Sequence, residues 1–260
     1  MSAPEDAPSP PAPRRFRRGA AILPSLFTTG NLFVGFWAIV KTIDGHPADA
    51  APLIAAAIVL DMLDGRIARL TGTTSEFGGE LDSLADVVSF GVAPAILAYR
   101  WALDSLPRIG WLAPFLFLMC GALRLARFNV QRHVVDGRFF VGLPIPAAAA
   151  QIAALVYFAP FGARERVWAT LVLAAVISLA FLMVSTIRYR SFKGVDLRKR
   201  RPYITVLGIA LLFVLIEMSR EYSLLALASL YTLSGPTGYV ASMFRKRSEP
   251  PPAVVAGEAH

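Results

Sequence analysis

Eight apolar segments divide this chain, and most of them are close to the roughly 20 residues that a helix needs to cross a bilayer. The composition agrees, because 55% of the 260 residues are hydrophobic, which is too apolar for an ordinary soluble domain. The sequence therefore predicts an all-α fold, a polytopic membrane helix bundle of about eight transmembrane helices. The predicted spans are residues 22–43, 49–70, 82–101, 111–128, 145–161, 167–187, 203–218 and 224–244.

The basic residues are distributed unevenly between the two sides of this predicted bundle. With eight spans both termini lie on one side, and that side carries most of the 26 Lys and Arg residues. Basic residues mark the cytoplasmic side, so we expect both termini to be cytoplasmic and the membrane to be the inner, or cell, membrane. This topology and anionic lipid explain the net charge of +8 without nucleic-acid binding. The opposite side carries Lys41, Arg100, Arg108, Arg164, Arg166 and Arg220.

Four aspartates lie at the predicted cytoplasmic ends of the second and third spans. Asp61 and Asp64 are three residues apart, and Asp82 and Asp86 are four apart, so each pair shares one helix face. A short connection, about residues 71–80, makes the two helices antiparallel neighbours, and the pairs can converge. Acids in a membrane are costly and indicate a functional site. Carboxylates that converge need a neutralising partner, and oxygen ligands suit divalent ions that also bind substrate phosphate.

A pair of divalent ions held by the acids could bind both sides of a phosphoryl group during its displacement. Small residues beside the acids fit such a phosphate-binding site. Gly65, Ala68 and Gly78 would let a ligand or a helix approach the backbone closely. Arg69 lies about 12 Å along the helix from Asp61 and could hold a phosphate or nucleotide at the water side. The alternative to metal binding is that the acids form structural salt bridges with Arg66 and Arg69. Two such salt bridges would still leave two of the four acids without a partner.

Polar residues in two other spans could complete this site. Asn31 in the first span could donate to a nucleotide or phosphate, or form an interhelical hydrogen bond. Arg124 and Arg127 lie three residues apart at the end of the fourth span and could bind phosphate or carboxylate. They could equally be topogenic residues that snorkel to the interface. Asn129 follows them, and residues 139–147 form a loop with two prolines that could cap the acceptor pocket or simply reverse the chain.

The spacing of the acids resembles the signature of the CDP-alcohol phosphatidyltransferases. That signature is two Asp, Gly, Ala, Arg, eight residues, Gly and two Asp, and every position from Asp61 to Asp86 matches it. The resemblance implies transfer of a phosphatidyl group from a CDP-lipid to an alcohol, with release of CMP. It also implies that Asp61, Asp64, Asp82 and Asp86 hold two ions, Mg²⁺ or Mn²⁺, and that Asp86 is the catalytic base.

The same resemblance implies the organisation of the chain. A six-helix catalytic core would fall within residues 22–190, and residues 191–247 would add further transmembrane helices. Residues 1–21 are expected to be a disordered N-terminus with a basic juxtamembrane stretch, and residues 248–260 a disordered tail.

Three further stretches, residues 82–91, 124–129 and 140–147, resemble the phosphatidylserine synthase branch of the family. The resemblance implies CDP-diacylglycerol as donor, L-serine as acceptor and a homodimer among membrane lipids, with Arg124, Arg127 and Asn129 at the acceptor or lipid phosphate. Glycerol 3-phosphate and inositol phosphate stay open as acceptors, because arginines serve a phosphate equally well. A metal-ion transporter is a remote alternative, since transporters usually show repeats and midplane sites.

Overall fold

The computed structural model describes residues 22–71, 75–131, 139–161, 165–190 and 217–247, together with residues 210 and 214. The predictions for residues 1–21 and 248–260, and almost all of the predicted span 203–218, lie outside these residues. The other seven predicted spans correspond to helices. The elements are α1 (Ile22–Ile43), α2 (Pro47–Thr71), α3 (Glu76–Asp86), a π-helical segment (Val87–Val92), α4 (Ala93–Trp101), a 3-10 turn (Leu103–Ser105), α5 (Leu112–Gln131), β1 (Phe139–Val141), α6 (Ile145–Phe158), α7 (Arg166–Val184), β2 (Arg188–Arg190) and α8 (Arg220–Arg247).

Four stretches of the described residues are long and apolar enough to cross a membrane, which confirms the predicted helical membrane bundle. Helix α6, at 14 residues, is apolar but shorter. Helix α2 has 25 residues and is long enough to cross, but the charged residues of the candidate site interrupt its apolar sequence. The number of spans, eight, stays a prediction. The four stretches are Leu26–Ile43, Glu76–Trp101, Leu112–Val130 and Arg166–Val184.

The connection between α2 and α3 is shorter than the predicted 71–80, because α3 begins at Glu76. Ser75 is the N-cap residue, and its hydroxyl accepts a hydrogen bond from the Gly78 N–H at 3.0 Å. Such a cap satisfies one of the unpaired amides in the first turn of a helix. Gly78 therefore belongs to α3 and not to the connection. Asp82 and Asp86 lie six and ten residues after the start of α3, rather than in the first turns of a span that we predicted to begin at residue 82.

A π-helical segment joins α3 to α4 and begins directly after Asp86. The N–H of Ala93 donates to the carbonyl of Val88, five residues back. Pro94 follows and has no N–H with which to continue the regular α-helical ladder. Segments of this kind inside α-helices are frequent at functional sites.

Close approach between α1 and this π-helical segment depends on a glycine. A Cβ atom on Gly35 would lie 2.7 Å from the Cα atom of Ser89, so any side chain there would collide with backbone. The Ser89 hydroxyl donates to the backbone carbonyl of Asn31 at 3.0 Å. Small residues at helix interfaces allow such contacts in membranes. The contact holds α1 beside the segment that follows Asp86.

Strand β1 lies in the connection between α5 and α6, and strand β2 follows α7. They pair antiparallel, with Phe140 opposite Tyr189. Gly142 then has φ +81°, and a Cβ there would lie 2.2 Å from the Met183 carbonyl oxygen, so the turn requires glycine. Pro144 is the N-cap residue of α6. The proline-containing loop thus ends against the last turn of α7 and leads directly into α6.

Helix α8 packs on α6 and on β2 through polar as well as apolar side chains. The Gln151 amide donates to the Ser229 hydroxyl at 3.2 Å and accepts from the Thr232 hydroxyl at 3.4 Å. The Tyr189 hydroxyl donates to the Thr232 carbonyl at 3.1 Å. Hydrogen bonds of this kind connect helices within a membrane, so α8 has a defined register against the rest of the bundle.

Candidate metal centre and substrate site

Three aspartates from α2 and α3 form the carboxylate cluster, which we define as Asp61, Asp82 and Asp86. One carboxylate oxygen of each lies within 4.8 Å of the others, and all three residues are half-buried. Like charges at this separation repel strongly unless a cation or a proton lies between them. An all-oxygen donor set of this kind fits a hard divalent cation such as Mg²⁺ or Mn²⁺. The cluster could therefore hold a metal ion.

The fourth predicted ligand, Asp64, is outside this group among the residues that the structure describes. It is 5% exposed, and its carboxylate accepts a hydrogen bond from the Thr28 hydroxyl of α1. Asp64 follows Asp61 by one helical turn but contacts a different helix. Sequence reasoning missed Thr28, although a polar residue one turn before Asn31 in an apolar span was a usable signal.

Asn31 lies on the same face of α1, one turn after Thr28, and is completely buried. Neither its amide nitrogen nor its amide oxygen has a hydrogen-bond partner among the described residues. A buried amide without partners loses its hydration and gains nothing in return, which is rare in folded proteins. The Asn31 amide therefore has unused hydrogen-bonding capacity on the face of α1 that carries Thr28, the partner of Asp64.

Helix α5 runs antiparallel to α3 and brings two more polar groups to the site. The Asn129 amide nitrogen donates to the Ser83 hydroxyl at 2.9 Å. One turn further along α3, the Asp86 carboxylate lies within electrostatic range of the Arg124 guanidinium. Ser83 falls within residues 82–91, one of the stretches that carry the resemblance, but no role was predicted for it, because serines are common in membrane helices. The two contacts show that the end of α5 lies against the half of α3 that carries the acids.

Arg124 and Asn129 each have one buried polar atom without a hydrogen-bond partner in the part of the chain that the structure describes. These atoms are the Arg124 Nε, a donor, and the Asn129 Oδ1, an acceptor. Arg124 itself is 9% exposed. A buried guanidinium is costly unless its donors are paired. Among the described residues, Arg124 therefore has one unpaired donor atom and Asn129 one unpaired acceptor atom where α5 lies against α3.

Arg127, predicted to act together with Arg124, has a different environment. Its guanidinium donates to the Val184 carbonyl and to the Val141 carbonyl, each at 3.4 Å. These contacts join α5 to the end of α7 and to β1. The two arginines, three residues apart in sequence, thus differ: one is near the carboxylate cluster, and the other bonds to backbone.

The remaining predicted residues lie at the same end of α2 and α3. Gly65 and Ala68 are half-buried on α2, and Arg66 is exposed. Gly78 is half-buried in the capped first turn of α3. Arg69 belongs to α2, but its side chain lies outside the described part of the chain.

Fold and site together define a class of protein: a membrane helix bundle that carries, at one end and next to a buried arginine, a carboxylate cluster that could hold a metal ion. The chain belongs to the CDP-alcohol phosphatidyltransferase family, whose sequence model matches residues 21–184. This confirms the family predicted from the spacing of the four aspartates. The chain is accordingly an integral membrane enzyme, and the match favours this interpretation over the transporter.

Curated relatives extend the comparison. A CDP-diacylglycerol–serine O-phosphatidyltransferase of Helicobacter pylori is 41% identical over 198 residues, which are 74% of this chain and 82% of the relative. The Bacillus subtilis protein of the same name is 37% identical over 172 residues, or 66% of this chain and 91% of the relative. An archaetidylserine synthase of Methanothermobacter thermautotrophicus is 41% identical over 174 residues, or 66% and 71% of the two chains.

Proposed function

We propose that this chain transfers the phosphatidyl group of CDP-diacylglycerol to L-serine and releases phosphatidylserine and CMP. The observation that carries the proposal is the carboxylate cluster, whose oxygens approach within 4.8 Å of one another beside the buried Arg124. The names of the relatives from Helicobacter pylori and Bacillus subtilis support serine as the acceptor.

The proposed metal ligands are the carboxylate cluster, with Asp64 one turn further along α2 completing the set. When bound, divalent metal, for which we propose two Mg²⁺ or Mn²⁺ ions, stabilises the negative charge that develops on the diphosphate. In this proposal the Thr28 hydroxyl fixes the orientation of the Asp64 carboxylate through its hydrogen bond. Ligand orientation by such outer contacts typically affects metal affinity by about ten- to a hundredfold.

The CDP moiety would lie along α2, next to α1. Gly65 and Ala68 have little or no side chain, so a diphosphate can approach the backbone of α2 closely. The unpartnered Asn31 amide would donate to the nucleotide or a phosphate oxygen, which would supply the partner that it lacks. Gly78 and Arg69 belong to the same proposed subsite, with Arg69 at its water side.

The acceptor would lie between α3 and α5. A serine zwitterion carries one carboxylate and one ammonium group, and it matches the unpartnered donor of Arg124 and the unpartnered acceptor of Asn129. Asp86 lies close to Arg124 and would accept the proton of the serine hydroxyl. The serine oxygen then forms a bond to the phosphorus that carries the lipid, and the bond from that phosphorus to CMP breaks.

For the cellular setting we propose the inner membrane, with both termini and the site on the cytoplasmic side. The excess of basic residues on that side supports this orientation. CDP-diacylglycerol would reach the site laterally from the surrounding lipids, and serine from the water. The proposed assembly is a homodimer.

The experiment that tests the proposal measures CMP release from CDP-diacylglycerol by the purified protein with Mg²⁺ or Mn²⁺. L-serine, glycerol 3-phosphate and inositol phosphate are compared as acceptors. Release that depends on serine alone supports the proposal. Release with glycerol 3-phosphate or inositol phosphate alone keeps the chemistry and rejects the acceptor, and no release with any acceptor rejects the proposal as a whole.

A further inference from the structure

The Asn129 side chain, near the end of α5, terminates in an amide whose two polar atoms have different environments. The amide nitrogen donates to the Ser83 hydroxyl of α3 at 2.9 Å. The amide oxygen is buried and has no hydrogen-bond partner among the described residues. An amide turned by half a rotation would exchange a donor for an acceptor at each position. The group that Asn129 offers to a ligand therefore depends on what Ser83 binds.

The Ser83 hydroxyl has only one proton, and that proton is used within α3. It donates to the Gly79 carbonyl, four residues earlier in the helix, at 2.9 Å. With its proton engaged there, the Ser83 oxygen can only accept from Asn129, and the amide nitrogen is the atom that can donate. A turned amide would place the lone pairs of two oxygen atoms against each other. The bond to Gly79 thus selects the orientation of Asn129 in which the amide oxygen stays unpaired.

Helix periodicity relates this contact to the carboxylate cluster. Ser83 and Asp86 are three residues apart on α3, so they share one face of that helix. Asp86 is one of the three acids whose carboxylate oxygens lie within 4.8 Å of one another. The Asn129 amide therefore meets α3 on the face that carries Asp86, which is where the proposed function places the acceptor.

We propose that Ser83 is a positioning residue that determines the choice of acceptor, because it holds Asn129 with the amide oxygen presented to the ammonium group of serine. An ammonium group has three donors and no acceptor, so it bonds to an amide oxygen and not to an amide nitrogen. The same oxygen repels the anionic oxygens of glycerol 3-phosphate or inositol phosphate, and specificity often depends on such a repulsive element. The inference rests on the proposed function and deepens it.

The test removes one hydroxyl from the full-length protein. Ser83→Ala deletes the oxygen that accepts from Asn129, so the amide is free to turn. We expect the KM for serine to rise about tenfold, with kcat and the KM for CDP-diacylglycerol unchanged. The matched control is Ser178→Ala on α7, an exposed serine whose hydroxyl also donates to the carbonyl four residues back, at 2.7 Å. An unchanged KM for serine in Ser83→Ala, or an equal rise in Ser178→Ala, would overturn the inference.

A serine analogue distinguishes orientation of Asn129 from a general change of the pocket. 3-Hydroxypropionate has the hydroxyl and the carboxylate of serine but no ammonium group, so it does not use the amide oxygen. Its Ki as a competitor of serine should be the same in the wild-type protein and in Ser83→Ala. A Ki that rises in parallel with the KM for serine contradicts the inference. The wild-type protein separates the two proposals, because serine-dependent CMP release can hold whichever way Ser83→Ala behaves.

Discussion

The two halves of the candidate site are built in different ways. The α2–α3 half contains the carboxylate cluster, and its acids come from adjacent helices joined by a connection of a few residues. The α5 half contains Arg124 and Asn129, and the contact that places it joins distant regions of the chain, because the Asn129 amide donates to the Ser83 hydroxyl 46 positions away. Local helix periodicity governs the first half, whereas long-range packing governs the second. The halves should therefore respond differently to substitution.

The largest effect is expected in the α2–α3 half. Asp82→Asn keeps the size of the side chain but removes one charge and one ligand oxygen from the cluster. We expect kcat to fall by at least about a hundredfold, because stabilisation of developing charge is lost. Measurement of CMP release at saturating substrates checks this. The matched control is Glu76→Gln, an exposed acid in the first turn of the same helix, and equal losses in the two variants would contradict the metal role.

In the α5 half the expected effect is on binding of the acceptor. Arg124→Lys keeps the charge but loses the planar donor fork, and we expect the KM for serine to rise about ten- to a hundredfold. Arg127→Lys affects contacts to backbone carbonyls, so its effect on that KM should be smaller. Steady-state kinetics with serine as the varied substrate decide the order, and a larger effect for Arg127 would reverse our assignment of the two arginines.

The packing of α1 against the segment that follows Asp86 can be tested by stability. Gly35→Ala places a Cβ atom 2.7 Å from the Cα of Ser89, where backbone cannot yield easily. We expect a loss of about 1–3 kcal/mol in the free energy of unfolding, the usual range for overpacking. Denaturation in detergent measures it. Gly30→Ala on the same helix is the control, because its nearest contact is a side-chain atom 3.7 Å away, and similar losses would show that close approach at Gly35 is unimportant.

The smallest effect, and the one most specific to the donor subsite, concerns Asn31. Asn31→Leu replaces an amide without partners by an apolar group of similar size, so the unfolding temperature without substrate should stay the same or rise. The KM for CDP-diacylglycerol should rise several-fold, about the value of one hydrogen bond, while the KM for serine stays constant. A destabilised protein with unchanged kinetics would mean that Asn31 is a structural residue.

The sequence determined the helical membrane fold, the family and the approximate position of the carboxylate cluster. Apolar segments of membrane length leave helices as the main solution, and residues three or four apart on a helix must share a face. These properties depend only on residues that are close together in the chain. The spacing and the short connection predicted that all four carboxylates converge, and three of them, Asp61, Asp82 and Asp86, form the cluster.

Tertiary structure alone decided which neighbour each of those faces meets. The rotation and crossing of helices depend on close packing at a few points, such as Gly35 against Ser89 and Gly235 against Tyr189. In the folded bundle Asp64 meets Thr28 of α1, and Arg127 bonds to backbone of α7 whereas Arg124 lies near Asp86. Helix periodicity carries no information on such pairings, because each depends on residues distant in the chain that meet only in the folded bundle.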